Sequence, residues 1–137
     1  MNKNPIHTTR VLVDMSCTLI HHGHIRLINE AKKLGEVIVG LTTDEEILNK
    51  KGYLPELNFS ERKEILISLK NVDTVIPAPW LIDDDFIIDN NIQCLVHGSD
   101  NSNKLSICDV ILFERTEGIS SSILRSRACE IVRKLEK

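Results

Sequence analysis

The sequence predicts an α/β protein on a doubly wound parallel sheet of roughly five strands, and three observations lead there. Short continuous apolar runs recur at Val11–Val13, Val37–Leu41, Thr74–Ile76, Cys94–Val96 and Val110–Phe113, the pattern of strands covered on both faces. Between them lie stretches with helical apolar spacing or helix-start signals. No repeat, low-complexity linker or shift in composition divides the 137 residues, so they are read as one domain, 1–137, long enough to bury a real core.

After a polar lead-in, Val11–Val13 reads as the first strand and Gly23–Leu34 as the helix behind it, with Gly35 as its C-terminal cap. Val37–Leu41 is the second strand, and Thr43 caps a short helix in which Glu46 holds the capping-box position. Lys50 to Pro55 breaks that helix into a loop, and Ser60-Glu61-Arg62 starts another whose Ile65, Leu66 and Leu69 share a face. Thr74–Ile76 is a strand ended by Pro77 and Pro79. Asp83 to Asp85 start a helix through Ile88, a helix start being favoured for acidic residues over a metal site there. Strands at Cys94–Val96 and Val110–Phe113 follow, and a last helix from Ser121 to Leu135 is expected to bury Leu124, Ala128, Ile131, Val132 and Leu135.

Composition narrows the functions open to this fold. Hydrophobic content of 42% and charged content of 27% are those of a globular protein, and a net charge of -3 argues against a broad nucleic-acid footprint. Cys17, Cys94, Cys108 and Cys129 form no C-x-x-C pair, so free thiols in a reducing cytoplasm are expected. The apolar runs fall far short of a membrane span, and Met1 to Arg10 lacks the apolar centre of a signal peptide, so a cytoplasmic protein without a membrane partner is expected.

The chain is organised around Leu19 to Arg26, where a strand gives way to a helix and two imidazoles, His21 and His24, flank Gly23. Unpaired N–H groups and a partial positive charge at a helix start favour phosphate oxygens, and glycine lets the backbone approach them. The same residues admit a solvated or structural pair of histidines, or a zinc site that includes Cys17 but lacks an evident fourth ligand. In a doubly wound sheet ligands bind at the carboxyl ends of strands. His21 and His24, Lys51, His97 to Asp100 and Arg115 to Gly118 all fall on that edge. In the last cluster an arginine fork, a glycine and Ser120 to Ser122 at a helix start supply further phosphate donors.

His21-x-Gly23-His24 resembles the HxGH signature of the nucleotidyltransferase superfamily. Arg115-Thr116-Glu117-Gly118-Ile119-Ser120-Ser121-Ser122 is similar to the R-T-x-G-I-S signature of its cytidylyltransferases. Thr43-Asp44-Glu45-Glu46 with Lys51-Gly52, and Val96-His97-Gly98-Ser99-Asp100, resemble segments of phosphoethanolamine cytidylyltransferases. Asp14-Met15-Ser16 running into the histidine motif is similar to modules of phosphonate biosynthesis, including those acting on 2-aminoethylphosphonate. Glycerol-3-phosphate cytidylyltransferase is similar too, particularly over Arg115 to Ser121. The chain departs from these patterns at Thr18, where an aspartate usually precedes the first histidine by three residues, and at Met15 and Cys17 in the same turn. Ser99 and Asn101 replace an acidic residue and a tryptophan of the glycerol-phosphate enzymes.

The resemblance implies a Rossmann-like fold of HxGH nucleotidyltransferase type and transfer of CMP from CTP to a small phosphate or phosphonate, with pyrophosphate released and Mg2+ accompanying CTP. It implies catalytic roles for His21, His24, Lys51 and Arg115, and nucleotide contacts from Ser16, Cys17, Gly23, His97, Gly98, Asp100, Thr116, Gly118, Ile119, Ser120 and Ser121. Asp44, Lys51 and Arg62 are assigned to the acceptor, with an exposed helix-start arginine as the plain alternative for Arg62. A cationic amine on that acceptor would need a carboxylate or an aromatic face, for which Asp44, Asp100 and Trp80 are candidates. The motifs rank 2-aminoethylphosphonate or phosphoethanolamine above glycerol 3-phosphate, and a homodimer is implied. A nucleotide-sensing or zinc-binding module is the alternative of another class.

Overall fold

A computed structural model of the chain describes residues 8–136; the polar lead-in through residue 7 lies outside them. Five strands, β1 (Arg10–Met15), β2 (Glu36–Thr42), β3 (Thr74–Ala78), β4 (Cys94–Gly98) and β5 (Asp109–Phe113), form an all-parallel sheet in the order β3-β2-β1-β4-β5. The helices are α1 (His22–Lys32), α2 (Asp44–Lys51), α3 (Phe59–Ile67), α4 (Asp84–Asp89) and α5 (Ser121–Leu135).

Alternation along β1 builds two cores. Val11, Val13 and Met15 pack on one face with Ile28 and Ala31 of α1 and Leu66 of α3, while Leu12 packs on the other with Ile38, Leu95 and Ile87 of α4. Leu12, Val13, Leu95 and Val96 are fully buried, each such side chain contributing about 1.5–3 kcal/mol relative to exposure. That burial fixes β1 beside β4 in register, Val13 opposite Val96. The strand order reverses between these two, so a crevice opens beyond their carboxyl ends. By the same alternation, Asp14 and His97 extend the face of Leu12 and Leu95 into it.

Several boundaries differ from the sequence reading for local reasons. Helix α1 ends at Lys32 with Lys33 as its cap, rather than being closed by Gly35. Gly35 serves a close approach instead, since a Cβ there would lie 2.2 Å from the Thr9 carbonyl oxygen that accepts the Glu36 N–H. Strand β3 runs through Pro77, which an edge strand tolerates because the missing N–H can face away from its partner. Asn58, not Ser60, caps α3, in a reciprocal box with Glu61. The largest difference is α5: its apolar stripe is present, yet none of its residues is buried. Periodicity reports that a helix has an apolar face, not that something covers it.

Candidate functional site

The turn from β1 into α1 is closed by the two motif histidines. His21 is the N-cap, its Nδ1 accepting the Gly23 N–H at 3.0 Å, while His24 Nδ1 accepts the His21 N–H at 3.2 Å. Imidazoles thus make the reciprocal bonds of a capping box. A ring nitrogen that accepts carries no proton, so each neutral ring is assigned its hydrogen on Nε2, available to donate. Burial, then the neighbouring His21 and Arg115, push His24 down to about 3; burial, His22 and Arg115 also lower His21. The rings stand 3.9 Å apart between centroids. Gly23 permits the fold-over, since a Cβ there would lie 2.8 Å from His21 Cε1.

The facing wall is the segment from Arg115 into α5. Gly118 at φ +75° turns the chain through a region that side-chain-bearing residues avoid, Ile119 is buried, and Ser120 caps α5 by accepting the Ile123 N–H at 3.0 Å. The Ser121 hydroxyl is spent on the opposite wall: it donates to the Leu19 carbonyl at 2.9 Å and accepts the Leu19 N–H at 3.2 Å. Arg115 stays exposed, its Nη1 3.6 Å from Asp100 Oδ2. The first turns of α2, α3 and α4 carry acidic residues that offset the positive end of the helix dipole; those of α1 and α5 carry none. The two uncompensated helix starts border one cleft of about 950 Å³.

On the cleft floor, Asp14 Oδ2 accepts from Asn103 Nδ2 at 2.9 Å and lies 3.5 Å from His97 Nε2, while Oδ1 is buried without a hydrogen-bond partner among the described residues. Burial raises the Asp14 pKa against the lowering effect of His97 and Asn103. Trp80 and Lys51 also line the cleft, with Lys51 Nζ 5.4 Å from the indole centroid.

The structure brings Ser16, Cys17, His21, Gly23, His24, Lys51, His97, Gly98, Asp100, Arg115, Thr116, Ile119, Ser120 and Ser121 to this cleft. Gly118 shapes the turn from outside it. Asp44 and Arg62 do not line it. Arg62 is fully buried rather than exposed: it donates to the Leu57, Ser16 and Thr42 carbonyls and at 2.6 Å to Asp44 Oδ1, while Asp44 Oδ2 accepts the Phe59 N–H. Their polar atoms are consumed in joining α2, α3 and the β1–α1 turn. Burial pushes the Cys17 thiol up to about 12. Among the described residues no three His, Cys, Asp or Glu side chains come together to hold a metal ion. Sequence reasoning missed Asp14 as a site residue, although a carboxylate ending a buried apolar run was a usable signal. It also missed Asn103, Tyr53 and Arg125, which line the cleft or its partners from loops and a helix whose fold was unknown.

A family model described as cytidylyltransferase-like matches residues 18–127. A glycerol-3-phosphate cytidylyltransferase of Bacillus subtilis is 39% identical over 115 residues, 78% of this chain and 87% of that protein. An ethanolamine-phosphate cytidylyltransferase of Dictyostelium discoideum is 35% identical over 138 residues, covering 92% of this chain but 37% of that longer protein. In fold, the chain is similar to a lipopolysaccharide core biosynthesis protein from Thermoplasma volcanium, with a TM-score of 0.69 at 20% identity over 80% of this chain and 99% of that one.

Proposed function

We propose that this chain, which belongs to the cytidylyltransferase-like family of nucleotidyltransferase enzymes, transfers CMP from CTP to a small amine-bearing phosphate or phosphonate, of the 2-aminoethylphosphonate or phosphoethanolamine class. An acceptor oxygen attacks the α-phosphorus in line, the bond to the bridging oxygen breaks, and pyrophosphate leaves with the electron pair. No covalent protein intermediate is needed, so positioning and charge stabilisation carry the step. His21 and His24, as neutral Nε2–H donors, serve the oxygens that gain charge as pyrophosphate departs. Arg115 and the free N–H groups at the start of α5 hold the β- and γ-phosphates, the Ser121 hydroxyl being already engaged. Lys51 serves the α-phosphate and the acceptor. Backbone groups of His97 to Asp100 and of Ile119 hold the cytosine, above Ser16 and Cys17. Mg2+, arriving with the triphosphate, would neutralise charge on its oxygens; the cleft's donors suit those oxygens, and among the described residues only Asp14 offers a buried carboxylate.

The amine assignment is carried by that carboxylate. An Asp14 carboxylate with one oxygen lacking a partner among the described residues, in a cleft that also presents Trp80, makes a charge-assisted bond to an ammonium group that is stronger than the one a neutral glycerol hydroxyl would donate to it. Glycerol 3-phosphate is the second reading, favoured by the identity to the Bacillus subtilis enzyme. Equal concentrations of the three acceptors, offered with limiting CTP and Mg2+, should give mainly the amine-bearing product by mass; predominant CDP-glycerol would reverse the ranking. Asp14→Asn should raise KM for the amine acceptors and spare that for glycerol 3-phosphate. The reading includes a cytoplasmic homodimer, for which the exposed Val110 and Leu112 on edge strand β5 and Ile131 and Val132 on α5 offer apolar surface, to be checked by light scattering.

A further inference from the structure

We propose that Arg125 is a positioning residue for this reaction: by gripping Glu56, Tyr53 and Thr18 at once, its guanidinium sets the start of α5 against the histidine turn and the segment that follows Lys51. Helix α5 needs such a device because it buries none of its own residues. What ties it to the body is polar. Ser121 bonds the Leu19 backbone, and Arg125 donates to Glu56 Oε2 at 2.5 Å, to Glu56 Oε1 at 2.7 Å and to Thr18 Oγ1 at 3.1 Å. The guanidinium also lies 4.9 Å from the Tyr53 ring centroid.

These partners belong to two other walls of the cleft. Thr18 lies three residues before His21 in the β1–α1 turn. Tyr53 and Glu56 lie between Lys51 and α3, in a segment that leaves α2 through Gly52 at φ +81° and is riveted at its far end by Arg62, which binds the Leu57 carbonyl. The segment's outer side is held by Arg125, whose hydrogen bonds keep the Glu56 carboxyl below the usual carboxylate range. One side chain thus spans the histidine donors, the lysine-bearing segment and the helix that supplies the phosphate donors. The planar fork matches the two oxygens of Glu56 and has an N–H left for Thr18, which an ammonium could not match in that geometry. Threonine at 18 fits this grip. A hydroxyl accepts the spare N–H without competing for the cation, whereas an aspartate there would set a second carboxylate against Glu56 for one guanidinium.

The inference rests on the nucleotidyl-transfer reading, and its test keeps the two apart. Pyrophosphate release by the unaltered protein tests that reading; CTP affinity by calorimetry, without acceptor, tests the clasp. Small misplacements of reacting groups are costly, so Arg125→Ala and Glu56→Gln should each weaken CTP binding and lower kcat/KM for CTP by about tenfold or more. The double variant should be no worse than the worse single, because both cut the same contact. Thr18→Asp added to Glu56→Gln gives Arg125 a new carboxylate and should recover most of the loss; Arg125→Lys, which keeps the charge but not the fork, should not recover it. Additive losses in the double variant, single variants that bind CTP as the unaltered protein does, or no rescue by Thr18→Asp would each overturn the clasp. Should Arg125→Ala fail to fold, Glu56→Gln with its rescue carries the test alone. An unaltered protein that binds CTP without turnover refutes the reading and leaves the clasp to be judged by affinity; one that does not bind CTP refutes both.

Discussion

The two walls of the cleft do comparable work with opposite construction. On the β1–α1 side, donors are set by backbone and burial: His21 and His24 close the start of one helix, the Gly23 and His21 backbone N–H groups fix their tautomers, and Arg62 locks the Ser16 carbonyl beneath them. On the α5 side, Arg115 is exposed, the helix buries no residue, and position depends on Ser121 and Arg125. A site meant to stabilise charge as it develops benefits from donors that need no reorganisation, whereas a site that must admit and release a triphosphate benefits from a wall held by few contacts. Damage to the first wall should therefore appear in stability or in kcat, and damage to the second in the affinity for CTP.

The largest effect expected is on the rivet of the first wall. Arg62→Met removes a fully buried guanidinium, leaving three carbonyls and the Asp44 carboxylate without their donor. Removing one partner of a fully buried ion pair costs about 3–5 kcal/mol; Asp44 is a third exposed, so a loss of about 3 kcal/mol is expected in denaturant unfolding. A loss of only about 1 kcal/mol, typical of a surface pair, would mean that this wall is not fixed from beneath.

Replacing either histidine by alanine comes next. Losing one preorganised donor to developing charge should cut kcat by about a hundredfold or more. The far-ultraviolet spectrum should be kept, since only a cap is removed. Reduced CTP affinity with unchanged kcat at saturation would move the histidines to ground-state binding and dissolve the contrast between the walls. Arg115→Lys tests the other side. It keeps the charge and loses the bidentate fork, so KM for CTP should rise by about tenfold with kcat nearly constant. A matching fall in kcat would mean that the exposed arginine acts only in the transition state.

The same contrast governed what could be read from the sequence. Buried strands announce themselves as apolar runs, and the sheet they make, with His97 near its carboxyl edge and Lys51 in the cleft beyond it, was legible because those runs alternate with capped helices. The histidine turn was legible because cap, glycine and helix start are neighbours in sequence. Arg62 was not, since its value lies in the Ser16 and Thr42 carbonyls, 46 and 20 residues away, joined to the nearby Leu57 carbonyl. Arg125 was hidden for the same reason: Thr18 is 107 residues away and Glu56 is 69. Asp14 was hidden within a family motif, where its burial beside Asn103 depended on a loop without periodicity. Helix α5 shows the converse, a clear stripe with no buried residue to match it.

The smallest effect expected is in the pH dependence of stability, and its sign separates the buried groups of the cleft. His24 titrates at about 3 in the folded protein against an ordinary 6.5, so between these values the unfolded chain binds the additional proton and acidification disfavours the fold. That loss begins as pH falls through about 6.5 and grows at no more than about 1.4 kcal/mol per pH unit. His21, also lowered, adds in the same direction. Asp14 opposes them: its carboxyl is raised above 3.8, so the folded state holds that proton more tightly and gains as pH falls through the interval just above 3.8. The net slope should therefore be positive from pH 4 to 6.5 and shallower than one proton per site. Replacing His24 by glutamine removes one titrating group, and the difference in unfolding free energy between pH 7 and pH 5 should shrink relative to the unaltered protein. An unchanged difference would mean that His24 opens to solvent and takes up its proton in the folded state, and the N-terminal wall would then be no better fixed than the one opposite.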